Sequence, residues 1–423
     1  MNIIGLLGLG EKMYTSKIQP FNHHLHLAIA TPHGDELQYI QEAFDTNWVT
    51  CAGSNVTAVE QAIPRYLEEH AAVSAPVSAV ALGTGTSALH LCMKLAGVKP
   101  GDIVLCSSMT FAATVNPVSY EGGRQVFIDS EEETWNMSPE ALELAFRQYP
   151  EAKVVVAANL YGTPGKLDEL AAICEKHGAV LIEDAAESLG ATYKGRQTGT
   201  FGKYNAISFN GNKIITGSCG GMLLTADVEA AALARKWSTQ SREPAPWYQH
   251  EDLGYNYRMS NITAGVLRAQ INHLDEHIEQ KKAVYYRYKE GLKGLPVKMN
   301  PVEDTGRGPG TAPNYWLSCL TIDKEYMCPQ HRSDLEVTYE PQHGKSCPGE
   351  ILNVLAKHNA EGRPIWKPMH MQPVFSGCGF VSQRPEKPVC EDVFARGLCL
   401  PSDNNMTPAD QDKVIEIIKR CFD

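Results

Sequence analysis

The chain is organised around residues 204–222, which read YNAISFNGNKIITGSCGGM. We expect the stretch to open as a strand, because a short apolar run ending at Phe209 is bounded by polar residues and glycine. It then breaks into an Asn-Gly-Asn turn, presents Lys213, and closes on the pair Gly220-Gly221. A lysine displayed from a tight turn can form a Schiff base with a carbonyl compound held against the backbone. Taken alone, Lys213 is more simply interpreted as a solvent-exposed lysine.

Strand and helix patterns alternate along the region before this stretch. Strands are predicted at residues 78–82, 103–107, 125–128, 154–158 and 180–184, and helices at residues 36–44, 87–96, 110–120 and 167–174. This alternation predicts a mostly parallel sheet with helices on both faces, an α/β fold. Ligands of such sheets bind beyond the carboxyl ends of the strands. Because Thr84, Asp184 and Lys213 each follow a predicted strand, we expect them to converge on one crevice.

The pattern changes at Asn261, where an apolar stripe at helical spacing begins and runs to about Gly291. Asn261 is a plausible N-cap of this helix. We therefore divide the chain into a large domain, residues 25–260, and a smaller C-terminal α+β domain, residues 261–423, that includes the long connecting helix. Strands are expected near residues 315–322 and 398–400, a surface loop at residues 325–350, and a closing helix at residues 408–421.

The composition and the net charge exclude several classes of function. The chain has 423 residues with a formal net charge of -11, which argues against binding to nucleic acid or to an anionic membrane. Its 12 cysteines form no C-x-x-C pair and no cluster with the spacing of a zinc site, so we predict reduced thiols, a cytoplasmic protein and no metal.

The N-terminus is predicted to be an extension without chemistry, residues 1–24. The apolar run at residues 3–9 is too short to span a membrane. The following GLGEK fails the P-loop pattern, because Glu11 stands where the lysine belongs.

Four requirements of pyridoxal phosphate chemistry have candidates here. Such an enzyme needs a lysine for the Schiff base, a carboxylate at the pyridine nitrogen, a cradle for the phosphate and a flat side chain against the ring. Lys213 and Asp184 supply the first two, and Phe111 supplies the last. The phosphate would bind at a helix N-terminus, where the candidates are Gly85, Thr86, Ser87 and Ser208.

Several motifs occur together in a fixed order: GTGTSALHL (83–91), MTFAATVNPV (109–118), IEDAAESLGA (182–191), SFNGNK (208–213), LGYNYRMSNITAG (253–265) and RPIWKPMHMQPVF (363–375). Together they resemble the DegT/DnrJ/EryC1/StrS family of sugar aminotransferases, which are fold-type I pyridoxal phosphate enzymes acting on nucleotide-linked keto-sugars. The resemblance covers the chain from about His24 onward. It implies that Lys213 binds the cofactor, Asp184 holds its ring nitrogen and Phe111 covers its ring.

The resemblance also implies roles for residues that the patterns alone do not single out. Position 187, usually glutamine in the family, is Glu187 here, and it would face the ring hydroxyl. Asn256, or failing it Arg258, would reach the phosphate of a neighbouring subunit, which implies a homodimer with shared active sites. The segment WKPMH resembles the branch acting on UDP-linked 4-keto-6-deoxy-N-acetylhexosamines, and its expected substrate-binding residues are Trp366, Lys367 and His370. Arg258 is also among the residues expected to bind substrate.

The resulting hypothesis is a transaminase that takes the amino group of L-glutamate and passes it to a nucleotide-linked keto-sugar in a ping-pong cycle. One alternative is a pyridoxal phosphate sugar dehydratase on the same fold. Its lysine would be replaced by histidine, so Lys213 argues against it. Another alternative is a catalytically idle relative that binds a sugar nucleotide or a regulatory partner. A second departure from the family pattern, after Glu187, is Cys219 in place of the glutamate usual in the family's Gly-Glu-Gly-Gly segment, and it bears on the choice of branch more than on the chemistry.

Overall fold

A computed structural model of the chain describes residues 18–73, 75–302 and 308–423. Most of the predicted extension, with the GLGEK motif, lies outside the described residues. Its last residues are not a free tail. Phe21 is buried and its backbone N–H donates to the carbonyl of His358, 2.9 Å away. This part of the expected extension is therefore packed against the C-terminal half of the chain.

The described residues contain sixteen strands. In chain order they are β1 (Ser78–Leu82), β2 (Ile103–Ser107), β3 (Arg124–Ile128), β4 (Val154–Ala158), β5 (Val180–Asp184), β6 (Thr192–Tyr193), β7 (Arg196–Gln197), β8 (Tyr204–Ser208), β9 (Gly221–Thr225), β10 (Val297–Met299), β11 (Cys319–Ile322), β12 (Gln330–Arg332), β13 (Val337–Tyr339), β14 (Arg363–Pro364), β15 (Gly379–Val381) and β16 (Gly397–Cys399). Eight of them form the main sheet, in the order β1-β9-β8-β5-β4-β2-β3-β15. Only β9 runs antiparallel to its neighbours, which confirms the mostly parallel sheet.

Twelve α-helices lie within the same described ranges. They are α1 (Glu36–Asp45), α2 (Ser54–His70), α3 (Gly85–Leu95), α4 (Asn116–Tyr120), α5 (Pro139–Gln148), α6 (Leu167–Lys176), α7 (Val228–Ser238), α8 (Asn261–Gln270), α9 (Leu274–Gly291), α10 (Pro348–Lys357), α11 (Val389–Arg396) and α12 (Pro408–Arg420). None of these helices is both long enough and apolar enough to cross a membrane.

The main sheet is buried on both faces, as the continuous apolar runs of its strands require. Along β4, Val154 and Val156 face a core shared with α3, whereas Val155 faces a core shared with α5 and α6. The helices thus form two layers on opposite sides of the sheet. A second, four-stranded sheet, β10-β11-β16-β14, packs with α9, α10 and α12 in the C-terminal half.

The helix predicted from Asn261 to Gly291 is interrupted. α8 ends at Gln270, a 3₁₀ turn follows over Ile271–His273, and α9 begins at Leu274. The N-cap is Ser260, whose hydroxyl accepts from the backbone N–H of Thr263 at 3.1 Å. Asn261 is therefore not the cap. Its side-chain oxygen instead accepts from the backbone N–H of Asn55, at 3.1 Å, and so joins α8 to α2.

Two local predictions were wrong. Residues 110–120 form no single helix, because a 3₁₀ turn at Ala112–Thr114 precedes the short α4. Residues 325–350 are not one loop, because β12 and β13 pair there as an antiparallel hairpin and α10 begins at its end. Short elements of two to five residues have too few positions to show a period.

The last strand of the main sheet comes from far along the chain. β15 pairs in parallel with β3, with Gly379 opposite Val126 and Val381 opposite Ile128. The large sheet thus takes one edge strand from the part of the sequence assigned to the smaller domain, while the division at residue 260 stays a prediction.

A buried lysine supplies a test of the C-terminal packing. Lys281 of α9 is 4% exposed and donates from Nζ to the carbonyl oxygen of Ser402, at 2.5 Å. Burial lowers the pKa of Lys281 to about 8, although the charge of Asp403 opposes the shift. Because the unfolded chain, with a lysine pKa of roughly 10.4, then binds more protons than the folded one, stability rises with pH between these two values.

We therefore expect the stability of Lys281→Met, measured relative to the wild type, to be highest below pH 8 and to fall by about 3 kcal/mol as pH approaches 10.5. Chemical unfolding at several pH values measures it. Lys282→Met, which removes an exposed lysine from the same helix, is the matched control and should show no such pH-dependent difference. A difference for Lys281→Met that does not change with pH would contradict the prediction.

Candidate active site

The carboxyl ends of the parallel strands open into a cavity of about 400 Å³. Eight of the residues predicted from the sequence line it: Gly85, Thr86, Phe111, Asp184, Glu187, Ser208, Lys213 and Trp366. They come from the ends of β1, β5 and β8 and from the connections that follow β2 and β14. The convergence expected from the strand order is therefore present.

One end of the cavity is the N-terminus of α3. Thr84 is its N-cap, and the Thr84 hydroxyl accepts from the backbone N–H of Ser87 at 3.0 Å. The first N–H groups of a helix have no partner inside the helix and favour an anion. The backbone here is closely packed: a Cβ added to Gly85 would lie 2.9 Å from the Cβ of Ser208, and one added to Gly221 would lie 2.3 Å from the Thr84 backbone. The two glycines therefore allow the turn to lie against β8 and β9.

Asp184 lies at the end of β5 and is 6% exposed. One carboxylate oxygen accepts from the Thr114 hydroxyl at 2.6 Å, and the other accepts from the backbone N–H of Ala186 at 3.0 Å. Burial raises the pKa of Asp184, while these two hydrogen bonds and the charge of Lys213 act in the opposite direction. The hydrogen bonds hold the carboxyl group in one orientation at the cavity wall.

Lys213 projects into the cavity from the turn that follows β8. Its backbone N–H donates to the carbonyl of Asn210 at 3.0 Å, which closes that turn. Its Nζ lies 4.2 Å from the centroid of the Trp316 ring and 3.6 Å from Oε1 of Glu187. The side chain is only 12% exposed. Lys213 is therefore not the solvent-exposed lysine of the simpler interpretation.

Glu187 is a buried acid directly beside this amine. Its Oε2 accepts from the backbone N–H of Tyr161 at 2.8 Å. Burial raises the pKa of Glu187, and the positive charge of Lys213 is the main opposing influence. A carboxyl group with a raised pKa next to an amine can hold a proton close to that amine.

Aromatic side chains form one wall of the cavity. Phe111 is 53% exposed at its rim and lies 5.4 Å, centroid to centroid, from Trp366. The Trp366 backbone N–H donates to the Tyr161 hydroxyl at 2.9 Å, which fixes the position of this tryptophan. A flat ligand entering the cavity would meet Phe111 before it reached Lys213.

Three residues expected to bind substrate lie outside the cavity lining and have partners elsewhere. Arg258 is paired with Glu60 at 2.8 Å, a carboxylate that it shares with Arg235, and also donates to the Ala81 carbonyl, so its guanidinium already has partners inside its own chain. Lys367 is paired with Asp334, also at 2.8 Å.

His370 is the third of these residues. Its Nδ1 lies 2.7 Å from the Ser108 hydroxyl, its Nε2 lies 3.2 Å from Glu391, and its ring stacks on Phe380. Burial lowers the pKa of His370. These contacts make all three side chains parts of the local packing, and their roles in substrate binding stay predictions.

Two residues expected near the phosphate also lie outside the lining. Ser87 has its hydroxyl 2.9 Å from that of Thr84, where it supports the cap of α3. Asn256 is exposed, and its backbone forms a bridge with Thr239. A role for Asn256 in a neighbouring subunit stays a prediction.

Other residues of the cavity were missed in the sequence. Trp316 and Arg363 reach it from the C-terminal half, Thr114 orients Asp184, and Asn159 follows β4. Thr114 stands within the MTFAATVNPV motif, four residues after Thr110, and their hydroxyl oxygens are 2.6 Å apart. That spacing is a signal available in the sequence, whereas Trp316 has none, since its Nε1–H donates to the carbonyl of Asn212, 104 positions away, at 2.7 Å.

Comparison with known families gives the site its context. The model of the DegT/DnrJ/EryC1/StrS aminotransferase family matches residues 31–419. The chain belongs to this family. The resemblance seen in the motifs is thereby confirmed over nearly the whole sequence.

Relatives with names support the assignment. The chain is 45% identical over 406 residues to a putative pyridoxal phosphate-dependent aminotransferase, EpsN, of Bacillus subtilis, covering 94% of this chain and 96% of the relative. It is 31% identical to a GDP-perosamine synthase of Caulobacter vibrioides, covering 94% and 98%. Among solved structures, a DegT/DnrJ/EryC1/StrS aminotransferase of Brucella abortus matches with a TM-score of 0.77 and 25% identity, over 91% of this chain and 94% of that one.

This family member is a pyridoxal phosphate-dependent aminotransferase, and the residues of the cavity fit that cofactor. The N-terminus of α3 lines the cavity and offers backbone N–H groups to a phosphate, Asp184 offers a fixed carboxylate, and Lys213 offers a primary amine. The fold-type I architecture and the cofactor predicted from the sequence are therefore confirmed.

Glu187 gives this family member a testable pH signature. Below its raised pKa, Glu187 is neutral and differs little in charge from glutamine. We expect the wild type and Glu187→Gln to react with glutamate at similar rates at acidic pH and to diverge by about tenfold as pH rises, which corresponds to about 1.4 kcal/mol in the barrier, because only the wild type then gains a negative charge beside the Lys213 amine. Stopped-flow absorbance across the pH range measures this, and a ratio of rates that stays constant with pH would contradict it.

Proposed function

We propose that the enzyme transfers the amino group of L-glutamate to a ketone of a nucleotide-linked sugar, with a UDP-linked 4-keto-6-deoxy-N-acetylhexosamine as the acceptor. The observation that carries the proposal is the position of the Lys213 amine, 3.6 Å from the Glu187 carboxyl in a cavity that also contains Asp184 and the N-terminus of α3. In the reaction, the C–N bond of glutamate breaks and a water molecule supplies the ketone oxygen of 2-oxoglutarate. The sugar ketone becomes an amine and its oxygen leaves as water.

Pyridoxal phosphate, when bound, supplies an electron sink that allows the hydrogen on the carbon bearing nitrogen to leave as a proton. Asp184, kept in place by Thr114 and Ala186, would hold the ring nitrogen of the cofactor. The N-terminus of α3, with Thr86 and Ser208, would bind its phosphate. Phe111 excludes water from one face.

Lys213 moves the proton in both half-reactions. Its amine lies between the Trp316 ring, 4.2 Å from the ring centroid, and the Glu187 carboxyl. The face of the Trp316 ring stabilises the positive charge of the Lys213 ammonium group by a cation–π interaction. When the Lys213 amine is neutral, the neighbouring Glu187 carboxyl group can hold the proton instead.

The acceptor is suggested by the relatives and by the rim of the cavity. Relatives include GDP-perosamine synthases and, over 234 residues at 34% identity, a UDP-N-acetyl-3-dehydro-alpha-D-glucosamine 3-aminotransferase of Acidithiobacillus ferrooxidans. Their names share a nucleoside diphosphate sugar and differ in the base. Arg363 at the rim offers a cation that suits a diphosphate, and Phe111 and Trp366 offer apolar surface for a deoxysugar.

The experiment follows the visible absorption of the lysine-bound cofactor in the purified protein. We expect L-glutamate to bleach this absorption and the UDP-linked 4-keto-6-deoxy-N-acetylhexosamine to restore it. Restoration only by a GDP-linked 4-keto sugar, or only by a 3-keto sugar, would reject the proposed acceptor and keep the aminotransferase. No bleaching by glutamate would reject glutamate as the amino donor.

We also propose a homodimer as the working form. Large apolar side chains remain exposed on the segment that carries the GYNYR motif: Trp247 is 66% exposed, Tyr248 77% and Leu253 85%. Exposed apolar residues grouped on one segment are typical of a surface that another protein covers. Light scattering after size exclusion measures the mass, and a monomer at working concentration would reject the shared active site.

A further inference from the structure

A group of metal-binding side chains lies outside the active site, where the N-terminal segment meets the C-terminal half. His24, His26 and Glu361 each offer a ligand atom, and these three atoms lie within 4.8 Å of one another. No local pattern reveals the group, because the glutamate is more than three hundred positions from the histidines. None of these three residues lines the active-site cavity.

The backbone explains why the two imidazoles face the same side. Residues 24–26 are extended, and Leu25 forms a parallel bridge with Ala360. The Leu25 N–H donates to the carbonyl of Asn359 at 3.0 Å, and the Glu361 N–H donates to the carbonyl of Leu25 at 2.8 Å. Side chains alternate along extended chain, so Leu25, 3% exposed, enters the core while both histidines face away from it.

The distance between two of the ligand atoms suits a tetrahedral ion. Nε2 of His24 lies 3.3 Å from Oε1 of Glu361. Bonds of about 2.0–2.2 Å from zinc to nitrogen and oxygen, at a tetrahedral angle, place two ligand atoms about 3.3 Å apart. The rings of His24 and His26 are nearly perpendicular, at 79° with centroids 4.7 Å apart, so that the lone pairs of both rings can meet at one point.

Neighbouring groups already hold two of the three ligands. Nδ1 of His24 lies 2.9 Å from the side-chain oxygen of Asn359, to which it can only donate, so the neutral ring has its lone pair on Nε2. Oε2 of Glu361 accepts from the backbone N–H of Leu27 at 2.9 Å, which turns Oε1 toward His24. Outer partners of this kind, which fix tautomer and orientation, accompany most histidine metal ligands.

A second group of similar composition lacks this geometry. His33, His273 and Glu276 also lie close together. The rings of His33 and His273, however, are stacked in parallel, at 1° with centroids 3.4 Å apart. One ion cannot lie in both ring planes, as ligation by the nitrogen lone pairs requires.

We propose that His24, His26 and Glu361 bind a divalent transition-metal ion, with Zn²⁺ as the best match to two imidazoles and one carboxylate. His24 and Glu361 are partly exposed, 45% and 33%, so an ion can enter and water completes its coordination. The ion links the N-terminal segment, through the two histidines, to Glu361, which lies two positions before Arg363. It is a structural clamp beside the active site, since Leu27 and Arg363 line a small cavity next to the larger one.

The test is calorimetric titration of Zn²⁺ into the full-length, cofactor-loaded enzyme after chelator treatment. We expect one equivalent of zinc that is lost, or bound at least about tenfold more weakly, in His26→Gln and in Glu361→Gln. His23→Gln is the matched control, because His23 is an adjacent exposed histidine outside the group, and it should bind as the wild type does.

Thermal unfolding supplies an independent measurement. Zinc should raise the melting temperature of the wild type and of His23→Gln, and should not raise that of His26→Gln. Binding that is unchanged in His26→Gln or in Glu361→Gln would place the ion elsewhere and overturn the proposal. So would the absence of zinc binding to the wild type.

Discussion

Replacing Lys213 with glutamine is expected to lower kcat by about 10³-fold or more, because the variant loses both the covalent anchor of the cofactor and the group that moves the proton. The position of the amine supports this expectation. It is 12% exposed, next to Glu187 and Trp316, and it projects into the cavity rather than into solvent.

The measurement has a covalent readout besides activity. Borohydride reduction of the cofactor-loaded wild type should add the cofactor mass permanently to the peptide that contains Lys213, and the glutamine variant should gain none. Lys203→Gln is the matched control, because Lys203 is exposed and lies just before β8, whereas Lys213 lies in the turn after the same strand. Covalent trapping of cofactor in Lys213→Gln would assign the anchor to a different lysine.

Replacing Asp184 with asparagine is the second large expected effect. The side chain keeps its shape but loses the charge that keeps the ring nitrogen of the cofactor protonated, and we expect kcat to fall by about 10²–10³-fold, as for the loss of one preorganised electrostatic contact. Asparagine would also place an N–H group against one of the two donors that now hold the carboxylate, Thr114 and Ala186.

A second variant separates charge from orientation. Thr114→Val removes the hydroxyl that donates to Asp184 but keeps the carboxylate, so its kcat should fall by only about tenfold. Steady-state kinetics and cofactor titration by absorbance measure both variants. If Asp184→Asn kept the wild-type rate, the ring nitrogen would have to be held by a different group.

Which parts of the fold and of the site could be predicted depends on how far apart in the sequence the contacting residues lie. Six strands of the main sheet, β1 to β5 and β8, and the turns that follow them were predictable, since each contains a short apolar run that ends in polar or small residues. Asp184 ends β5, and Lys213 lies in the turn after β8. The order of the motifs then supplied Glu187 and Trp366. These residues are near one another in the sequence or follow local patterns.

The parts that were missed depend on contacts between distant segments. Trp316 lies under Lys213 only because the C-terminal half folds back over the cavity. Arg258, a charged residue within a family motif, is predicted to bind substrate, and its ion pair with Glu60, nearly two hundred positions earlier, could not be seen in the sequence. A charged side chain in a sequence carries no sign of its ion-pair partner, and so its availability for a ligand becomes visible only in the fold.

The position of β15 bears on how the protein is made. A ribosome releases the chain from the N-terminus, and β3 at residues 124–128 emerges about 250 residues before the strand that covers it, Gly379–Val381. During that interval the growing sheet has an open, apolar edge able to pair with other chains. Nascent chains should therefore need protection from chaperones until synthesis is nearly complete. Truncation before residue 379 should yield aggregates rather than a smaller folded unit.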